Sequence, residues 1–93
     1  MNNKSKKIKI HFIGIGGIGM SGIAELMNKL GYTILGSDIN ESENIKRLRN
    51  IGIIIKIGHN KKNLDLVNAV VYSSAIQKNN PEILEAIKNK IPV

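Results

Sequence analysis

The stretch from Ile8 to Ile23, reading I-K-I-H-F-I-G-I-G-G-I-G-M-S-G-I, constrains the fold of this chain more than any other. Apolar residues alternate with period two, stop at a glycine, and pass through Gly14, Gly16 and Gly19 into what reads as the first turn of a helix. A strand that turns tightly into a helix presents unpaired amides at the helix start. The peptide dipoles add positive potential there. Phosphate is the natural guest of such a junction.

The glycine spacing is G-x-G-x-x-G, and each glycine has a separate expected job. Gly14 allows the sharp exit from the strand, Gly16 lets a diphosphate approach bare backbone, and Gly19 lets the helix lie close to the strand. The pattern alone is weak, because glycine-rich turns are common and methyltransferases use related ones. The context strengthens it: Asp38 closes the next strand-like run, about twenty residues on, where an acid accepts hydrogen bonds from ribose hydroxyls. The structural alternatives are a plain glycine turn and a loop acid that caps the following helix. The phosphate reading requires unpaired amides along Gly14 to Gly19 facing an open crevice. It places Met20 and Ser21 where backbone and side chain touch the phosphate, although Ser21 serves equally well as a helix cap and Met20 as packing.

The rest of the chain repeats the alternation. Residues 1–7 read as a disordered basic leader and Ile8 to Ile13 as a central first strand, with His11 as a satisfied structural histidine. Helical spacing from Met20 to Leu30 puts Ile23, Ala24, Met27 and Leu30 on one buried face, ended by Gly31. Tyr32 to Ser37 is the second strand. A short helix starting at Ser42 or Asn44 turns Ile45, Leu48 and Ile51 inward. The β-branched run Ile53 to Ile57 is expected to be a third strand covered on both faces. It leaves His59 at a carboxyl edge, where an imidazole can stack on a base or donate a hydrogen bond. Lys61 to Leu66 allows a turn or two of helix tethered by Leu64 and Leu66. Ala69 to Ser73 is the fourth strand, followed by Ser73, Ser74, Ala75 and Ile76 at the same edge, where hydroxyls suit a sugar or a turn. Asn80-Pro81-Glu82 starts a helix, with the acid against its positive end and Ile83, Leu84 and Ile87 buried. Ile91-Pro92-Val93 opens another strand. The whole is an α/β, Rossmann-like, doubly wound parallel sheet, truncated at the start of its fifth strand.

Composition limits the partners. The net charge of +7 raises nucleic acid or an acidic membrane, but Lys outnumbers Arg 12 to 2, aromatics are scarce and the lysines are scattered. No nucleic acid and no membrane partner is expected. No run reaches the roughly 18 apolar residues of a membrane span, and the glycines after the basic leader do not fit a secretory signal. With no cysteine, thiol chemistry and disulfides are excluded, which fits a cytoplasmic protein.

Taken together, I-H-F-I-G-I-G-G-I-G-M-S-G-I-A (Ile10 to Ala24), G-Y-T-I-L-G-S-D (Gly31 to Asp38), G-H-N (Gly58 to Asn60), V-V-Y-S-S-A-I (Val70 to Ile76), N-N-P-E-I (Asn79 to Ile83) and I-P-V (Ile91 to Val93) resemble the N-terminal domain of the Mur ligases of bacterial peptidoglycan synthesis. Within that family the resemblance is to the ligases that add L-alanine to UDP-N-acetylmuramate. Family members commonly carry alanine where Ile18 stands. The resemblance implies that residues 8–93 hold the uridine diphosphate of UDP-N-acetylmuramate. Gly14, Ile15, Gly16, Gly17, Ile18, Gly19, Met20 and Ser21 would lie around the diphosphate, and Asp38, His59, Ser73, Ser74, Ala75 and Ile76 around ribose and uracil.

In the family, ATP phosphorylates the substrate carboxylate and the amine of alanine then attacks the acyl phosphate, with magnesium present. That step needs a Gly-Lys-Ser/Thr phosphate loop, which this sequence lacks. ATP and Mg2+ are therefore implied only for a complete enzyme carrying the family's central ATP-binding and C-terminal domains. The chain alone is expected to bind a nucleotide sugar and catalyse nothing. The competing reading is a regulatory NAD-binding module of the kind attached to ion-transport proteins, which has no reason to pair His59 and Ser73 to Ile76 with this loop.

Overall fold

The computed structural model describes residues 8–93. The basic leader expected at residues 1–7 lies outside the described residues. Alternation of short β-branched runs with helical segments produces β1 (Lys9–Ile13), α1 (Ile18–Lys29), β2 (Thr33–Asp38), α2 (Glu43–Asn50), β3 (Ile54–Ile57), a 3-10 turn (Lys61–Leu64), β4 (Ala69–Tyr72) and α3 (Pro81–Lys88). All strand pairs are parallel, in the order β3-β2-β1-β4, so β1 is central as expected. The Val70 amide donates to the Pro92 carbonyl at 2.8 Å, which brings residues 91–93 beside β4, but they form no strand and the sheet has four. No helix among the described residues is long and apolar enough to cross a membrane.

Period-two alternation along β1 separates two cores. Ile10 and Phe12 join Ile15, Met20, Ala24, Ile34, Ile45 and Leu48 on the α1 and α2 face. Ile13 joins Leu64, Val70, Ile83 and Ala86 on the face of α3 and the 3-10 turn. Helices cover both faces, which makes the sheet doubly wound.

Several expected faces are rotated or uncovered. Because α1 begins at Ile18, its inward stripe runs through Met20, Ser21, Ala24 and Met27, leaving Ile23 and Leu30 exposed. In α3 the buried residues are Glu82, Ile83 and Ala86, while Leu84 and Ile87 face outward. Ile51 lies just past the end of α2 and is exposed. β3 is an edge strand in which only Ile55 is buried, so the expectation of a strand covered on both faces is corrected. Leu66 does not tether the 3-10 turn: it is 75% exposed in a left-handed conformation (φ 61).

Candidate functional site

The strand order reverses between β1 and β4, and in open parallel sheets the crevice at the carboxyl ends of strands beside such a reversal receives ligands. The loops after β1 and β4 and the end of β2 meet there, in an open cleft of about 340 Å³ lined by Gly14, Gly16, Gly17, Asp38, Asn40, Ser42, Ser73, Ala75 and Ile76. Seven of these nine are residues the sequence singles out for ligand contact. Asn40 and Ser42 are additions, contributed by the loop between β2 and α2.

The glycine turn is built largely by internal hydrogen bonds. Gly14, at φ 76, leaves β1 in a conformation that L side chains rarely adopt. The amides of Gly14 and Ile15 both donate to the Ser37 carbonyl, at 2.8 and 3.0 Å, and Gly17 donates to the Gly14 carbonyl at 3.1 Å. Gly16 donates to Asp38 Oδ2 at 2.8 Å, and its carbonyl accepts from Asn44 Nδ2 at 3.1 Å. The amides of residues 14 through 17 are thus already committed, which corrects the expectation of unpaired amides along the whole of Gly14 to Gly19. The open stretch lies at the start of α1. Gly17, the N-cap residue, offers no side chain, the first turn carries no acid, and the amides of Ile18, Gly19 and Met20 meet no acceptor among the described residues. Ile18 is 91% exposed and does not plug the crevice.

The roles expected of two glycines change. A Cβ at Gly16 would sit 2.9 Å from Asp38 Oδ2 and 3.0 Å from Ile45 Cδ1, so the absence of a side chain serves the protein's own contacts. A Cβ at Gly19 would meet nothing within 4 Å, so this residue does not bring helix and strand together. The close approach occurs at Gly36 in β2, where a Cβ would lie 2.5 Å from Ile15 Cδ1.

The remaining expected residues fall in three places. Ile15 is fully buried, packed over Gly36. Met20 is buried in the core, and Ser21 is buried with its hydroxyl donating to the Ile18 carbonyl at 3.1 Å. Their side chains are turned away from the cleft. Ser73 shapes a turn, accepting from the Ala75 amide on Oγ and from the Ile76 amide on its carbonyl. Ser74 lies with Ser73 and Ile76 in a neighbouring cleft along β4.

His59 belongs to a buried polar cluster that the sequence reading did not foresee. Glu82, assigned from sequence to the helix dipole, is fully buried. Its Oε1 receives His11 Nε2 at 2.8 Å and the Ser37 hydroxyl at 2.6 Å, and its Oε2 receives the Asn60 amide at 3.0 Å and Asn63 Nδ2 at 2.6 Å. Burial alone pushes the carboxyl upward, but the hydrogen bonds from His11, Ser37, Asn63 and Asn60 together outweigh it and hold Glu82 at about 2. His59 Nδ1 sits 2.9 Å from Ser37 Oγ. The signal that could have located this cluster is an ionisable residue on the apolar face of α3.

A family model described as "Mur ligase family, catalytic domain" matches residues 9–93. UDP-N-acetylmuramate--L-alanine ligases of Azorhizobium caulinodans and Rickettsia typhi are 57% and 60% identical over 84 residues, 90% of this chain and 18% and 17% of theirs. Among solved structures, the UDP-N-acetylmuramate-alanine ligase of Thermotoga maritima aligns with a TM-score of 0.88 at 40% identity, covering 91% of this chain and 20% of that one. A murein peptide ligase of Psychrobacter arcticus aligns at 0.85 with 28% identity, over 91% and 18% of the two chains. The chain spans about a fifth of the length of the relatives it matches.

Proposed function

The chain belongs to the Mur ligase family, and from that membership we propose that it holds the uridine diphosphate of UDP-N-acetylmuramate as the N-terminal domain of an ATP-dependent ligase that adds L-alanine in peptidoglycan precursor synthesis. The observation that carries the proposal is the set of uncommitted amides at Ile18, Gly19 and Met20, opening beside the cleft that Asp38 lines. A diphosphate there receives several N–H donors and the positive end of a twelve-residue helix at once. Asp38 then stands where ribose hydroxyls donate, and the turn from Ser73 to Ile76 forms the opposite wall.

The chemical step is assigned to the rest of a complete ligase. No Gly-Lys-Ser/Thr loop is present to cradle ATP, and no group of three or more His, Asp or Glu among the described residues converges as a metal site. This chain binds and orients the nucleotide, in a cytoplasmic enzyme, and the carboxylate of the muramyl group extends from it toward the ATP-binding domain.

Titration calorimetry with UDP-N-acetylmuramate, UDP and NAD tests the proposal. Both uridine compounds bind, and Asp38→Ala weakens them about tenfold, roughly 1.4 kcal/mol. With ATP, Mg2+ and L-alanine added, the chain releases no ADP. Tighter binding of NAD than of UDP overturns the assignment in favour of a dinucleotide module.

A further inference from the structure

The Glu82 cluster orders protons as well as atoms. Oε2 faces two N–H donors, the Asn60 amide and Asn63, and Oε1 lies 2.6 Å from Ser37 Oγ and 2.8 Å from His11 Nε2. An ionised carboxylate only accepts, so Ser37 must donate its single proton to Oε1. At 2.6 Å the opposite orientation would press a hydroxyl lone pair against a carboxylate oxygen. Ser37 Oγ therefore meets His59 Nδ1, at 2.9 Å, with a lone pair, and His59 must supply the proton of that bond. In the neutral ring the remaining nitrogen, Nε2, is then bare. It has no partner among the described residues, and it is not among the buried unpartnered atoms, so solvent reaches it.

We propose that Glu82, acting through Ser37, is a positioning residue that fixes His59 in the Nδ1–H form, so that His59 presents Nε2 as a hydrogen-bond acceptor to the ligand. The group recognised there is a donor, a ribose hydroxyl or the imide N–H of uracil, and not a carbonyl or phosphate oxygen. His59 does not line the cleft itself, but it follows Gly58, whose amide donates to the Asp38 carbonyl at 2.7 Å and so ties the loop after β3 to the end of β2 that does. The assignment reverses the expectation that this imidazole donates. His11, on the same carboxylate oxygen, takes the opposite form: Nε2–H donates to Glu82, and its buried Nδ1 has no partner. Free imidazole side chains have no such enforced difference, since the tautomer follows the hydrogen bond made by the other nitrogen.

The identity of the donor rests on the proposed uridine site, whereas the tautomer does not, and the experiment separates them. Nitrogen-detected NMR of histidine-labelled protein without ligand, at about pH 8 where ordinary histidines are neutral, reads the tautomers directly. The bare, pyridine-type signal is expected on Nε2 of His59 and on Nδ1 of His11. In Glu82→Gln the amide NH2 can face Ser37, whose hydroxyl then turns to His59, and the bare signal of His59 moves to Nδ1. Ser37→Ala keeps the carboxylate, whose Oε1 lies 3.7 Å from His59 Nδ1 and still favours the proton there, so the bare signal stays on Nε2, and Asn63→Ala also leaves it unchanged. A bare Nδ1 on His59 in the wild-type chain overturns the proposal, whatever the variants do. In calorimetry, N3-methylated UDP or a deoxyribose analogue binds about tenfold more weakly than UDP, and the penalty disappears in Glu82→Gln. Equal penalties in both proteins overturn the recognition role. Failure of wild-type protein to bind UDP overturns the uridine site and the donor assignment, while the ligand-free tautomer stands or falls on its own signal.

Discussion

Acid should unfold this protein through Glu82, and the effect can be worked from its surroundings. The carboxyl is held at about 2, against 4.5 for an unperturbed group. A lowering of that size corresponds to about 3 kcal/mol of folded-state stability. The folded value is depressed, so the contribution is complete above about pH 5. It is lost as pH falls through the unfolded value toward about 2, because protonation then costs the native cluster its acceptor. For a chain of 93 residues the total stability is about 5–14 kcal/mol, so this carboxylate is a large share. Urea denaturation from pH 7 to pH 2 should be compared between the wild type and Glu82→Gln, which keeps the shape and removes the charge. At pH 7 the variant is the less stable. As the pH falls the gap narrows by about 3 kcal/mol, equivalent to about 2 M in urea midpoint. Other carboxylates titrate in both proteins and cancel in the difference. A gap that stays constant across the range would refute the reasoning.

Three further outcomes follow from local geometry. Gly36→Ala places a Cβ within 2.8 Å of three Ile15 atoms, one of them its own Cβ, and should cost about 1–3 kcal/mol, seen as a melting temperature lower by several degrees; an unchanged value would mean that Ile15 can retreat. Leu66→Asn relieves a left-handed backbone at an exposed site and should raise stability by up to about 1 kcal/mol in the same assay, with loss of stability as the contrary result. Ser42→Ala removes the oxygen that accepts the Ile45 amide at the start of α2 and should cost about 1 kcal/mol, while Ser42→Asn should recover most of it.

Much of the fold was legible because glycine and capping residues punctuate it. Gly14, Gly31, Gly52 and Gly58 all adopt positive φ at element ends, and Asn80 and Ser42 cap the helices that follow them. Face and edge were harder to read. Isoleucine and leucine are so abundant that α1 and α3 carry apolar residues on both sides, and periodicity alone could not choose Met20 over Ile23 or Ala86 over Ile87. Strand order likewise decides burial: β3 has the composition of a covered strand but sits at the sheet's edge. The Glu82 cluster was invisible for a different reason, since His11 and Glu82 are 71 residues apart and only the packing of α3 against the sheet brings them together.

The end of β2 explains how the site keeps its shape. Loops at the carboxyl edge of a parallel sheet have no ladder to hold them, so their amides need acceptors from elsewhere. Ser37 gives its carbonyl to the Gly14 and Ile15 amides and its hydroxyl to Glu82, tying the loop after β1 to the buried carboxylate on α3. Asp38 gives its carboxylate to Gly16 and its carbonyl to Gly58, tying that same loop to the one after β3. Two consecutive residues of one strand thus fix both neighbouring loops before any ligand arrives. The amides they leave uncommitted are those at the helix start, where the dipole adds to the N–H groups and an anion gains most. Because the turn is already ordered, a diphosphate bound there as proposed would have little backbone entropy to overcome, so its binding strength would depend on the few free donors.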